Sequence, residues 1–345
     1  MSLENKCTGQ RKGRLCKCQN HGVYPIAEGH ANWQVTAASG IGFNRFPFIL
    51  CTNGGGVSES KRSQMLTEEL GVPISPKLLV QSHTIFNQFV PLYHDKPVLV
   101  VGGASDQCRK IAEEYGFNRV YTPQDFLRWN RAVWPFYKLS EREIPKTKQE
   151  DMSQVAFSAI FVMHDPFDWG LATQVSIDLL TSADGIITHS PKKTKNQELH
   201  NHIPIYFSNP DLLWGNEFPR PRFGQGAFQI ALCENYRRLT GQELKVWIGG
   251  KPSRETYQFA NRLLQDVSRG LEETDDGELK NVYMIGDNPA SDIQGANNFG
   301  WKSILVQTGV FQGEQPTDSE FPPTIVKPNV LEAVKWSLAQ EGYSP

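Results

Sequence analysis

The sequence predicts an α/β protein built on a parallel sheet, and two observations carry that prediction. From residue 46 onward, short apolar runs alternate with segments of helical composition. The most distinctive polar loops come directly after the apolar runs, and open α/β sheets bind their ligands outside the carboxyl ends of the strands. We therefore expect a parallel sheet with helices on its faces and a binding site along one edge.

The chain up to residue 188 contains five predicted strands and three predicted helices. The strands are expected at residues 46–51, 97–101, 118–121, 155–163 and 185–188, and the helices at 58–70, 105–115 and 170–180. Residues 128–152 are polar, charged and contain tryptophan, which predicts an exposed excursion between two of the strands.

The second half continues the alternation, and no internal repeat of fixed period interrupts it. The strands are expected at residues 203–207, 244–248, 281–285 and 303–307, and the helices at 226–240, 253–270 and 291–300.

Composition excludes several classes of protein. A formal net charge of -2 over 345 residues gives no electrostatic basis for binding nucleic acid. No apolar run approaches the roughly 18 residues of a membrane span, and the mean hydropathy is -0.44. Six scattered cysteines do not form a disulfide framework and suit a reducing compartment.

Residues 1–42 have a different character from the rest of the chain. They show no period of strand or helix and are rich in Gly, Asn, Gln, Cys and His, so we expect them to be poorly structured. They lack the apolar core of a secretory signal, which leaves a mitochondrial or a cytoplasmic location open and makes secretion unexpected. The spacing of Cys7, Cys16, Cys18 and His21 matches none of the common structural zinc sites.

Three loops after predicted strands could carry chemistry. The first runs Cys51-Thr52-Asn53-Gly54-Gly55-Gly56 and offers a hydroxyl, an amide and permissive glycines, whose backbone N–H groups could surround an anion. A glycine-rich turn of purely structural origin is the alternative.

The second loop, Gly249-Gly250-Lys251-Pro252-Ser253, places a lysine between a strand and a serine that could cap the next helix. Such a lysine can neutralise a phosphate, although the sequence is not a Walker A loop. The alternative is a solvated lysine in a turn.

The third loop, Gly286-Asp287-Asn288-Pro289-Ala290-Ser291-Asp292, brings two carboxylates to the end of a strand. Hard carboxylate oxygens at such a position suit Mg²⁺. Asp, Asn and Ser are also preferred helix caps, so a capping role is the alternative.

Together, the three loops resemble the second, third and fourth motifs of the haloacid dehalogenase superfamily of phosphatases. The residues that carry the resemblance are Thr52-Asn53, Gly250-Lys251-Pro252, and Gly286-Asp287 with Asp292. Asn53 and Lys251 are 198 positions apart, which is similar to subfamily IIA, where an α/β cap domain is inserted between these motifs. The stretches 48–56, 164–169 and 308–311 resemble the branch of the cat eye syndrome critical region protein 5. The resemblance covers roughly residues 45–340.

The resemblance implies a Rossmann-like core at residues 44–80 and 204–345, an inserted cap at 81–203 and an atypical segment at 1–43. It implies that a small phosphorylated molecule is bound through its phosphate by Thr52, Asn53, Gly54 and Lys251. It also implies that Thr52 and Lys251 act in catalysis and that Asp287 and Asp292 serve Mg²⁺. His164, Asp165 and Asp168 could face this site from the cap or form turns. The resemblance does not indicate an oligomeric state.

One motif of the family is missing from this sequence. The family's nucleophile is an Asp followed two residues later by a second Asp, upstream of Thr52, whereas the first Asp of this chain is Asp95. Two functions remain open: an Mg²⁺-dependent phosphohydrolase impaired in this chain, or a non-catalytic relative that acts by binding. Because the composition shifts near Phe43, we also consider an altered gene model of an active hydrolase. A transcript that encodes the segment without interruption would contradict that hypothesis.

Overall fold

Helices and short parallel strands alternate along the chain, as predicted. The computed structural model describes residues 15–16, 24–25, 46–189, 203–215, 218–271, 279–311, 313 and 315–343. The strands are β1 Leu15–Cys16, β2 Tyr24–Pro25, β3 Leu50–Cys51, β4 Leu79–Val80, β5 Val98–Gly103, β6 Val120–Tyr121, β7 Ala159–Pro166, β8 Ile205–Phe207, β9 Leu213–Trp214, β10 Arg222–Phe223, β11 Trp247–Ile248, β12 Tyr283–Gly286, β13 Lys302–Val306 and β14 Ile325–Lys327. The α-helices are α1 Glu59–Leu70, α2 Val90–Tyr93, α3 Gln107–Tyr115, α4 Pro123–Trp129, α5 Trp169–Leu180, α6 Gln225–Thr240, α7 Arg254–Leu271, α8 Gln294–Phe299 and α9 Val330–Gln340.

The largest sheet has five parallel strands in the order β11-β8-β7-β5-β6. Its central strands β5 and β7 pair from Val98 opposite Ala159 to Val101 opposite Val162. Both strands are almost wholly buried, because two apolar clusters cover the two faces of the sheet. The carboxyl ends of all five strands therefore share one edge.

Besides the antiparallel pairs β1-β2 and β9-β10, the remaining strands form two smaller parallel sheets. One has the order β12-β13-β14, and the other pairs β3 with β4, Leu50 lying opposite Leu79. Within the described ranges, no further strand pairs with β3 or with β12. These sheets supply the ends of β3 and β12, where the first and third predicted loops begin.

Aromatic packing fixes the segment that follows β4. Phe86 is fully buried, its ring 5.1 Å from that of Phe161, and the ring of Phe89 lies 4.5 Å from that of Tyr206. Burial of one such side chain contributes about 2 kcal/mol. The short helix Thr84–Phe89 is thereby held on the five-stranded sheet, and its N-terminal neighbour His83 is fixed beside the first loop.

Most predicted elements are found, and one is wrong. Residues 185–188 form a turn rather than a strand. Gly185 has a φ of +80°, and its carbonyl accepts a hydrogen bond from the Phe157 amide. A Cβ at Gly185 would lie 2.1 Å from the Phe157 carbonyl oxygen, so the residue closes a tight turn that a strand could not form.

Three predictions concern the less regular parts of the chain and the domain boundary. The excursion over residues 128–152 is confirmed as short helical turns at Arg131–Val133 and Ile144–Lys146. Of residues 1–42, β1 and β2 form an antiparallel pair, and the prediction for the others lies outside the described residues. The predicted domain boundary at 203 and 204 stays a prediction; the sheet that holds β7 continues across it through β8 to β11.

Among the helices of the described ranges, we find none whose length and hydropathy would let it cross a bilayer.

Candidate functional site

The first and second predicted loops are joined by a reciprocal pair of hydrogen bonds. The backbone N–H of Lys251 donates to Asn53 Oδ1 at 2.7 Å, and Asn53 Nδ2 donates to the Lys251 carbonyl at 2.9 Å. Asn53 is only 8% exposed, so leaving these groups without partners would cost about 1–3 kcal/mol. The end of β3 and the loop after β11 therefore meet, as the resemblance implies.

The side chain of Lys251 is buried and paired with a carboxylate. Its Nζ donates to the Cys51 carbonyl at 3.1 Å and lies 2.5 Å from Asp292 Oδ1. Burial is the largest single influence and lowers the pKa of the Lys251 ammonium, but the charge of Asp292, the hydrogen bond to it and the other negative charges nearby, including Asp211, together raise the pKa. Lys251 is therefore charged at neutral pH, and at 7% exposure it is not the solvated turn lysine that the sequence left open.

The third loop is organised by Asn288. Its side-chain oxygen accepts from the backbone N–H groups of Ala290 and Ser291, and so it caps the helical turn Pro289–Ile293. Its own N–H donates to Asp292 Oδ2 at 3.1 Å. Because Asn288 supplies the cap, the two carboxylates of the loop are not needed for capping.

Two glycines make room for those carboxylates. A Cβ at Gly286 would lie 2.2 Å from Asp292 Oδ2, and one at Gly309 would lie 2.0 Å from Asp287 Oδ2. Neither position admits a side chain unless the aspartate beside it shifts. The third loop is thus closely packed around its two acids.

The carboxyl of Asp287 is largely buried beside other charges. Its Oδ2 accepts a hydrogen bond from Val310 N at 2.8 Å. Burial raises the pKa of Asp287, the charge of Asp292 raises it further, and the Val310 N–H and the Lys251 ammonium oppose the change. A cation beside this carboxylate would offset the first two effects.

The glycines of the first loop are pressed between two buried imidazoles. A Cβ at Gly55 would lie 2.8 Å from His83 Cδ2, and one at Gly56, where φ is +81°, would lie 2.6 Å from His164 Cδ2. Thr52 is exposed at the start of the loop, and its Oγ1 accepts from the Gly54 N–H at 3.0 Å. This leaves the Thr52 hydroxyl proton available to an oxygen of a ligand.

Two further acids lie near the site: Asp211, to which the sequence assigned no role, and Asp165, which was expected either to face the site from the cap or to form a turn. Asp211, just after β8, accepts a hydrogen bond from Asn53 Nδ2 at 3.0 Å. Burial raises the pKa of Asp211, and burial together with the charge of Asp211 raises the pKa of Asp165 to about 6. The available signal was their position: Asp211 comes shortly after β8, and Asp165 lies near the carboxyl end of β7.

The expected Mg²⁺ fits one of its two predicted ligands better than the other. Mg²⁺ is often held by one or two carboxylates, with phosphate oxygens and water completing the shell. Asp287 has the burial and the negative surroundings that a cation would relieve, whereas Asp292 already pairs with Lys251. In the described part of the chain, no three His, Cys, Asp or Glu side chains gather in a metal-binding arrangement. Asp287 is thus the residue that would hold the ion.

Two family models match separate parts of the chain. The model described as haloacid dehalogenase-like hydrolase matches residues 24–118, and the one described as HAD-hydrolase-like matches residues 248–333. The first match begins at residue 24, upstream of residue 45, from which the resemblance was expected to start.

Two curated relatives come from yeasts. The chain is 37% identical over 313 residues to a mitochondrial hydrolase of Saccharomyces cerevisiae, covering 86% of this chain and 87% of that one. It is 40% identical over 298 residues to a cardiolipin synthase (CMP-forming) / mitochondrial hydrolase fusion protein of Schizosaccharomyces pombe, covering 86% of this chain. The chain spans 48% of the length of that fusion protein.

Solved structures share the fold at lower identity. A hypothetical protein from Pyrococcus horikoshii gives a TM-score of 0.58 at 19% identity, covering 91% of this chain and 93% of that one. A 4-nitrophenylphosphatase from Thermotoga maritima gives 0.53 at 18% identity, covering 84% and 83%. At these identities the likeness is one of fold alone.

Proposed function

The chain belongs to the haloacid dehalogenase-like hydrolase family, and we propose that it binds the phosphate of a small phosphomonoester between Thr52, Asn53 and Lys251. One observation carries the proposal. Lys251 is the one buried lysine of the described ranges, and the side chain of Asn53 holds its backbone in place. A fixed, desolvated ammonium attracts a phosphate oxygen more strongly than one in water does.

Each residue has a distinct task in this proposal. Lys251 provides positive charge, the Thr52 hydroxyl donates to a phosphate oxygen, and the Gly54 region lets the backbone approach the ligand closely. Asp287 would hold Mg²⁺, which neutralises charge on a transferring phosphoryl group in sites of this kind.

Catalysis by this chain is proposed to be impaired. Hydrolysis through a covalent intermediate needs a nucleophilic carboxylate, and no Asp occurs before Asp95 in this sequence. Loss of a nucleophile lowers the rate by several orders of magnitude while binding can persist. The second candidate function, a relative that binds its ligand without hydrolysing it, is favoured by that same absence.

Titration calorimetry with phenylphosphonate, which carries a phosphoryl dianion but no ester bond, tests the proposal. We expect binding by the parent and at least about tenfold weaker binding by Lys251→Met, the loss expected for a charge-assisted contact of about 1.5–3 kcal/mol. Thr52→Ala removes one donor from an exposed position, where folding is not at risk, and should weaken binding less. Lys335→Met, at an exposed lysine paired with Glu332, is the matched control. Equal affinities for the parent and for Lys251→Met would contradict the proposal.

We propose a mitochondrial location because both yeast relatives are named as mitochondrial hydrolases. Imaging the full chain with a C-terminal tag, against a mitochondrial marker, tests this. A diffuse cytosolic signal would contradict it.

A further inference from the structure

The segment after β4 holds the first loop at two backbone carbonyls. The Ser82 N–H donates to the Gly54 carbonyl at 3.2 Å, and Gln81 Nε2 donates to the Val57 carbonyl at 2.9 Å. Gln81 and Ser82 are both buried, so water competes little for these bonds. The loop backbone on either side of Gly55 is therefore held in place.

Gly55 itself packs against the imidazole of His83. A Cβ at Gly55 would lie 2.8 Å from His83 Cδ2 and 3.4 Å from His83 Nε2, so the ring presents its Cδ2–Nε2 edge to the loop. His83 is fully buried, and its Nε2 has no hydrogen-bond partner among the described residues. A buried ring nitrogen in this state is uncommon in folded proteins and requires a physical reason.

The opposite edge of the ring is fixed by two hydrogen bonds in series. His83 Nδ1 lies 2.7 Å from Tyr115 Oη, and Tyr115 Oη donates to Glu59 Oε1 at 2.6 Å. Because the Tyr115 hydroxyl has a single proton and donates it to Glu59, its oxygen accepts from the His83 Nδ1–H. Glu59 begins α1 and Tyr115 ends α3, so two helices orient the imidazole. We call Glu59, Tyr115 and His83 the relay.

The carboxylate end of the relay is held as well. Thr84 Oγ1 donates to the same oxygen of Glu59 and accepts from the Gln81 N–H at 2.9 Å. Burial and the charge of Glu59 raise the pKa of the Tyr115 hydroxyl, which therefore keeps its proton at neutral pH. The relay thus has a fixed acceptor at one end and a fixed donor in the middle.

The imidazole of His83 is neutral in these surroundings. Burial is the largest influence and lowers its pKa, as the charge of Arg62 does, while Glu59 and the Val57 carbonyl oppose the change without reversing it. In a neutral ring with its proton on Nδ1, Nε2 carries no proton. The edge that meets Gly55 is therefore uncharged, and no N–H group is left there without an acceptor.

We propose that His83 is a positioning residue of the phosphate site, and that the relay keeps its ring in the Nδ1–H form against Gly55. The Gly54 N–H donates to Thr52 Oγ1, so a displacement of this part of the loop moves the hydroxyl that is proposed to contact the ligand. A loop that is fixed before the ligand arrives costs less to order on binding. The inference rests on the proposed binding of a phosphate by Thr52 and Lys251.

Titration calorimetry of the full chain with phenylphosphonate tests the inference in variants of the relay. Tyr115→Phe removes one hydroxyl and should lower the affinity at least about threefold, the scale expected when one group must be ordered on binding. Glu59→Gln keeps an oxygen that can accept from Tyr115 and should retain the parent affinity, whereas Glu59→Ala should lose as much as Tyr115→Phe.

Tyr137→Phe is the matched control. It also removes a tyrosine hydroxyl that donates to a glutamate, at 2.6 Å to Glu143, but it does so in the excursion. Both tyrosine variants should lower the melting temperature, and Tyr115→Phe alone should lower the affinity. A purely structural role of the relay would change the melting temperature without changing the affinity of the folded protein.

Nitrogen-15 NMR of protein with labelled histidine gives a second measurement. The His83 signals are identified by their loss in His83→Asn. We expect the pattern of an Nδ1–H ring in the parent and in Glu59→Gln, and a mixture of the two neutral forms in Tyr115→Phe.

The outcomes separate this inference from the proposed function. Parent affinity in both Tyr115→Phe and Glu59→Ala would overturn the inference alone. An Nε2–H ring in the parent, or an unchanged Nδ1–H ring in Tyr115→Phe, would also overturn it, because the relay would then not set the form of His83. A parent that does not bind phenylphosphonate would overturn the proposed function together with the inference.

Discussion

Asn53 and Lys251 hold each other through both groups of one side-chain amide. Asn53 Oδ1 accepts from the Lys251 N–H while Asn53 Nδ2 donates to the Lys251 carbonyl. The start of the lysine side chain is therefore fixed against the end of β3, and its ammonium reaches Cys51 and Asp292 from there. Positive charge at the site thus depends on the amide as well as on the lysine.

Replacing Asn53 by Ala should destabilise the protein by about 1–3 kcal/mol, because it leaves two buried backbone groups of Lys251 without partners. It should also weaken phenylphosphonate binding, since the Lys251 backbone, from which the ammonium extends, is no longer held in place. Urea unfolding measures the first effect. Asn235→Ala removes an exposed side-chain bond to the Ala231 carbonyl and should change the free energy of unfolding by less than about 0.5 kcal/mol. If Asn53→Ala also changed the free energy of unfolding by less than about 0.5 kcal/mol, the amide pair would be dispensable.

Breaking the ion pair from either side should be costly. Asp292→Asn leaves a buried ammonium with less negative charge around it, and we expect a loss of about 3–5 kcal/mol in the free energy of unfolding. Lys251→Met leaves Asp292 beside Asp287 without a cation. The double variant should be more stable than the sum of the two losses predicts, with a coupling of about 1–3 kcal/mol. Additive losses would mean that the two side chains do not interact in solution.

Asp165 should make stability depend on pH. Its pKa is raised to about 6 when folded, so the folded protein binds this proton more tightly than the unfolded chain does. The resulting stabilisation is complete below the ordinary value of 3.8 and is lost as pH rises through about 6. Between pH 4 and pH 7, the free energy of unfolding should fall by up to about 2 kcal/mol more in the parent than in Asp165→Asn. Urea unfolding at a series of pH values measures it, and equal slopes for parent and variant would contradict the assignment.

Gly55 is restricted by space rather than by backbone angle. A methyl group there would meet His83 Cδ2 at 2.8 Å and Ser82 Oγ at 2.9 Å, so Gly55→Ala should cost about 1–3 kcal/mol. His83→Ala removes one of those contacts, and the double variant should recover part of the loss despite the cavity left behind. Thermal unfolding of the four proteins tests this. No recovery in the double variant would place the obstruction elsewhere.

Much of the fold could be predicted from the sequence. Alternating apolar runs and helical segments located most elements, because strand and helix periods are local properties. The strand predicted at residues 185–188 is wrong, since Gly185 is set by its approach to Phe157, which is distant in sequence. Tertiary contacts of this kind leave no local pattern.

The candidate site could be predicted as residues but not as contacts. Thr52, Lys251 and Asp287 were found because each follows a strand. The pairing of Lys251 with Asp292, and the hydrogen bond between Asn53 and Asp211, depend on how the ends of strands in different sheets meet. Strand order across sheets is set by packing over the whole chain, so these contacts could not be read from spacing.

The central claim is that the site binds phosphate but does not hydrolyse phosphate esters. The most direct test measures phenylphosphonate binding together with the hydrolysis of 4-nitrophenyl phosphate, with and without Mg²⁺, by the parent and by Asp287→Asn. The account predicts that the parent binds phenylphosphonate through Lys251 and that both proteins hydrolyse the ester only at the background rate. Mg²⁺-dependent hydrolysis by the parent that disappears in Asp287→Asn would contradict it, because a nucleophile other than an upstream Asp would then be at work.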